Sequence, residues 1–122
     1  MTLKSTDAFR VLASADRQYV LHELLERDGE STVGELSRRV ALRRHRTAAS
    51  SDTVTAAEVE RARVRLVHIH FPQLLQQDVI EVDWADNEVT LAESDDVDVL
   101  FEAAEELDEW PPEPESKLRH SW

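Results

Sequence analysis

Cysteine is absent from this sequence, and lysine and glycine occur at only two positions each. Without cysteine there is no disulfide scaffold, no thiol catalysis and no Cys-based zinc site. With Gly29 and Gly34 as the only glycines, no glycine loop is available to cradle a phosphate. The GxSxG and HExxH patterns are missing too, so no enzyme is expected. No apolar run approaches the roughly 20 residues that span a bilayer. Lys4, Asp7, Arg10, Asp16 and Arg17 make the opening stretch unlike a secretory leader. A cytoplasmic protein with no membrane partner is the expectation. His68 and His70 form the only close histidine pair, but on a helix they stand about 200° apart. No metal and no cofactor are expected, His70 is read as a hydrogen-bonded core histidine, and no pattern identifies a small-molecule ligand.

What is present is charge, unevenly placed. The 122 residues carry 26 carboxylates against 14 basic groups, a net of −12, and twelve of the fourteen are arginines. Abundant Asp and Glu with lysine nearly missing is the composition of proteins from a salt-loaded, halophilic cytoplasm. Periodic apolar residues, at 41% hydrophobic content, argue against a disordered acidic chain. Residues 36–70 hold eight arginines against three carboxylates, net +5, whereas residues 76–122 stand at −14. A basic island in an acidic chain calls for a partner or for internal pairing.

Periodicity predicts a helix over 7–13 with Phe9 and Leu12 inward, then a helix over 15–27 capped by Ser14. Val20, Leu21, Leu24 and Leu25 form the second helix's apolar stripe, and Gly29 ends it. Thr32 and Glu35 make a capping box for a helix over 33–42, with residues 43–55 read as a long polar loop. A second box, Thr55 to Glu58, opens a long helix over 56–77. Its inward side holds Val59, Ala62, Leu66, Val67, His70 and Leu74, and its solvent side Glu58, Arg61, Arg65 and His68. Pro72 lacks the N–H owed to the His68 carbonyl and predicts a kink or split near Phe71. Residues 79–83 and 88–91 alternate as a β-hairpin. A last helix over 94–107 aligns Val97, Leu100, Phe101, Ala104 and Leu107 on one face. The division is a domain over 1–108 and a flexible acidic, proline-rich tail over 109–122.

Phe9-Arg-Val-Leu-Ala-Ser-Ala-Asp-Arg17, followed by Val20-Leu21-His-Glu-Leu24-Leu25, resembles the opening of ArsR-type transcriptional regulators. Leu66-Val-His-Ile-His-Phe-Pro-Gln-Leu74 and Asp78-Val-Ile-Glu-Val-Asp83 resemble a haloarchaeal winged helix-turn-helix domain family. The resemblance spans about residues 6–108. It implies an α+β, mostly helical fold with a two-stranded wing and a C-terminal dimerisation helix. The implied function is a transcriptional regulator binding double-stranded DNA as a homodimer, with the 56–77 helix in the major groove. On that reading Arg61, Arg65 and His68 lie nearest the bases, and Arg38, Arg39, Arg43, Arg44 and Arg46 on phosphates. The dimer would use Val97, Leu100, Phe101, Ala104 and Leu107, unless that face packs across its own core. Two departures stand out: Asp78 replaces the glycine usual before the wing, and the wing carries Glu81, Asp83, Asp86 and Glu88 but no basic residue. A winged-helix protein–protein interaction module that does not bind DNA is the alternative.

Overall fold

The fold was described from a computed structural model, covering residues 5–48, 54–107, 110 and 112, with the side chains of 5 and 46–48 set aside. Helix α1 (Ser5–Leu12) is followed by α2 (Ala15–Glu26), β1 (Glu30–Thr32) and α3 (Val33–Ala48). Next come α4 (Ala56–Arg65), a π-helical turn (Leu66–His70) and α5 (Phe71–Gln76). Strands β2 (Ile80–Asp83) and β3 (Glu88–Leu91) lead to α6 (Asp95–Glu105). The result is mostly helical, α+β, with an antiparallel sheet ordered β1-β3-β2.

Local chemistry explains most boundaries. Ser14 caps α2 by accepting from the Arg17 N–H at 3.4 Å. The chain leaves α2 through Asp28 (φ 58°) and Gly29 (φ 87°), and the Gly29 N–H donates to the Leu24 carbonyl at 2.7 Å. The Thr55–Glu58 box is complete, with the Glu58 N–H on Thr55 Oγ1 and the Thr55 N–H on the Glu58 carboxylate. At Thr32 the Glu35 N–H donates to Oγ1, but the Glu35 carboxylate bonds to Arg27 and Arg39. Pro72 lies at the start of α5. The helix meets it by widening one turn, so that the Phe71 N–H reaches back five residues to the Leu66 carbonyl.

The sheet has one strand more than expected. Glu30-Ser-Thr32 pairs with Thr90-Val-Glu88 through the backbone, and the hairpin's other side pairs Ile80 with Leu91 and Asp83 with Glu88. Asp83 Oδ1 accepts from the Ala85 and Asp86 N–H groups, and Asn87 turns the chain at φ 55°. Asp78 also takes a left-handed conformation, φ 57°, one that glycine adopts without steric cost.

Four expectations are corrected. Helix α3 does not stop at residue 42 but continues through 48, because Arg43, Arg44 and His45 find partners on neighbouring helices. Phe9 and Leu25 point outward, and Ala8 and Val11 join Leu12 in the core. Val97, Leu100 and Ala104 are buried inside this chain, where α6 packs along α1, so the dimer face assigned to α6 is mostly spoken for. Phe101 and Leu107 remain half-buried. The start of the expected tail is docked: Trp110 stacks edge-on to His22 at 5.6 Å and near Phe101 at 6.0 Å. Trp122 and most of 109–122 lie outside the described residues. Ala62, Leu66, Phe71 and Leu74 face the core, as the helical period requires. Among the described residues no helix is long and apolar enough to cross a membrane.

Candidate nucleic-acid interface and the ion network behind it

The eight arginines of the basic island divide into distinct groups. Arg39 donates to Glu35 at 2.9 Å and lies 3.7 Å from Glu23. That hydrogen bond, against a smaller opposing effect of burial, holds the Glu35 carboxyl below its ordinary range. Arg43 is buried, its guanidinium 4.8 Å from the Tyr19 ring centre and donating to the Pro112 carbonyl at 2.8 Å. Arg44 and Arg65 both turn to Asp16, at 3.1 and 3.3 Å. Among the described residues Arg63 has only a long pair with Glu60, at 3.9 Å. Arg38, Arg61 and His68 are exposed, and the side chain of Arg46 lies outside the described residues.

Asp16, only 4% exposed, is the hub. Besides the two arginines it receives His70 Nε2 at 3.4 Å, and the other ring nitrogen, Nδ1, stands 3.2 Å from Arg17 Nη1. Arginine has no acceptor, so Nδ1 must accept, which fixes the ring proton on Nε2 facing the carboxylate. Arg17 also donates to the Val11 and Arg10 carbonyls at 2.6 and 3.1 Å, engaging carbonyls of the last turn of α1. One chain of directed bonds thus joins α1, α2, α3, α4 and the π turn. Burial pushes the Asp16 carboxyl upward, but hydrogen bonds from His70 and Arg44 and the charge of Arg44 prevail and hold it at about 2.

Above this hub a cleft of about 470 Å³ opens between α2, α3 and α4, lined in part by Arg44, His45, Glu58, Arg61 and Arg65. His45 Nδ1 lies 2.9 Å from Glu58 Oε2, joining the end of α3 to the start of α4 and keeping the Glu58 carboxyl below its ordinary value. Farther along, Val64 on α4 and Ile69 in the π turn are 46% and 48% exposed beside Arg61 and His68.

Of the residues expected at bases, Arg61 and His68 share the open side of the long helix, whereas Arg65 turns inward to Asp16. Of those expected on phosphates, Arg38 is exposed, while Arg39, Arg43 and Arg44 are engaged within the chain. The role of Asp16 as a hub has no local signature, since its partners lie 28, 49 and 54 residues away. Among the described residues no group of three or more His, Asp or Glu is placed to hold a metal ion.

The chain belongs to the DUF7344 family, a domain of unknown function, which matches residues 9–90. No curated protein matches it, and no solved structure does.

Proposed function

We propose that this chain is a winged-helix DNA-binding regulator that presents the outer side of α4 and the π turn to the major groove. The carrying observation is that Ala57, Arg61, Val64 and His68, all exposed, form a strip without a carboxylate in a chain of net charge −12. The order helix, strand, helix, helix, hairpin, with β1 pairing β3, supports the winged-helix reading. Arg61 has the fork geometry for guanine, and Val64 offers an apolar contact of the kind that suits a thymine methyl. Arg38 is suited to a phosphate. Dimerisation belongs to the same proposal, but its contacts fall outside Val97, Leu100 and Ala104.

A second reading is favoured by a different observation. Arg39, Arg44 and Arg65 are paired with carboxylates of the chain, Arg43 is buried, and the hairpin is acidic. Exposed Val64, Ile69 and Trp84 then suit a protein partner. Selection from a random duplex library, followed by anisotropy titration of the enriched sequence, separates the two. The DNA reading expects enrichment, and a loss of about tenfold or more on Arg61→Ala. Failure to enrich any duplex between about 0.1 and 3 M KCl would reject it in favour of the interaction module.

A further inference from the structure

The cleft over Asp16 has a charge pattern unlike the rest of the chain. Arg44, Arg61 and Arg65 line it against two carboxylates, Asp16 and Glu58. Those carboxylates are already answered, Asp16 by Arg44, Arg65 and His70, and Glu58 by His45 and the Thr55 cap. Arg61 makes no hydrogen bond or ion pair among the described residues, so it leaves the cleft one positive charge in excess. A second feature also points to a ligand, one that carries a hydrogen-bond donor. His45 Nδ1 faces a carboxylate, which only accepts, so Nδ1 carries a proton. Its Nε2 is buried without a hydrogen-bond partner among the described residues, an arrangement that costs free energy until something fills it.

We propose that this cleft binds a small phosphate-type oxyanion, the guanidinium of Arg61 gripping it with help from Arg44 and Arg65, and His45 Nε2, left as an acceptor, taking a hydrogen bond from a hydroxyl that the oxyanion retains. Planar guanidinium forks match phosphate oxygens, and charge-assisted bonds of this kind are among the stronger ones. The volume, about 470 Å³, is in the range of small-molecule sites and leaves room for an organic group on the oxyanion. Since the cleft is walled by α2, α3 and α4, a bound anion would tie the outward-facing helix to the two behind it. The proposal does not depend on DNA binding.

The test titrates the full chain with inorganic pyrophosphate at constant ionic strength, adjusted with KCl, following the arginine Nε–Hε resonances and the melting temperature. Saturable shifts of Arg44, Arg61 and Arg65 with a rise in melting temperature are expected. Arg61→Ala, at an exposed position that leaves the fold intact, should weaken binding by about tenfold or more. Arg63→Ala removes the same charge from the same helix and should change affinity by less than about twofold. Shifts that never saturate, or equal losses in the two variants, would reduce the effect to diffuse attraction and overturn the proposal. A duplex that moves the three resonances when pyrophosphate does not would assign the cleft to a backbone phosphate and equally overturn it.

Discussion

Replacing Asp16 by Asn removes the charge from the hub while keeping the side-chain shape. Two estimates bound the cost. A carboxyl held at about 2 against an ordinary 3.8 contributes about 2 kcal/mol above the ordinary value. Removing one partner of a fully buried ion pair costs about 3–5 kcal/mol. Arg44 and Arg65 have side chains 52% and 30% exposed, so water can take over part of their solvation, and the lower estimate governs. About 2–3 kcal/mol from a small domain lowers the melting temperature by roughly 10–20 °C. The pH dependence has a definite sign. The folded carboxyl is depressed, so its contribution is complete well above pH 3.8 and is lost as pH falls toward about 2. Urea melts of the native chain and Asp16→Asn, followed by circular dichroism from neutral pH down to about pH 2, should show a gap that closes across that window. A gap below about 0.5 kcal/mol at neutral pH, or one that stays constant as pH falls, would refute the assignment of Asp16 as the hub.

Asp78→Gly should stabilise the fold by about 0.5–1 kcal/mol, read as a higher urea midpoint, because the position sits at φ 57°. Deleting residues 94–122 should collapse the fold instead of releasing a monomer, since Leu100 and Ala104 are fully buried; a folded truncated chain by circular dichroism would contradict this. Affinity for a selected duplex should pass through a maximum as KCl rises, because screening weakens repulsion from the acidic remainder before it dissolves close arginine–phosphate pairs. A monotonic fall in anisotropy-derived affinity, with the chain folded throughout, would count against that balance.

The elements that could be read in advance are those whose cause is local. The Thr55–Glu58 cap, the alternation around Val82 and Val89, and the proline at 72 each act within a few residues. Strand β1 was hidden because Glu30-Ser-Thr32 has no apolar alternation, and it exists only through backbone pairing with Thr90, Val89 and Glu88. The second half of α3 was hidden for a related reason. Arg-Arg-His at 43–45 reads as solvated loop until Tyr19, Asp16 and Glu58 are brought beside it by the fold. Phe9 and Leu25 show the reverse error: an apolar residue at a plausible helical spacing still lies outside when no element covers it. The arginine island was visible as a cluster, but pairing partners dozens of residues away decide which arginines face water.

That division of the arginines has a structural logic. A wholly apolar junction among α1, α2, α3 and α4 would tolerate small rotations of one helix against another, because hydrophobic contact is non-directional. The junction here is instead made of bonds with fixed geometry, Arg17 to His70, His70 to Asp16, and Asp16 to Arg44 and Arg65. Such a network adds little net stability once desolvation is counted, but it penalises any rotation that leaves a charge unpaired. The π turn adds a residue to the helix just where His70 must meet the hub. Rotation of α4 about its axis decides whether Arg61 and His68 face outward or sideways. The arginines committed to Asp16 are therefore the ones that aim the rest, and removing Arg65 would disturb the outward strip without touching a residue in it.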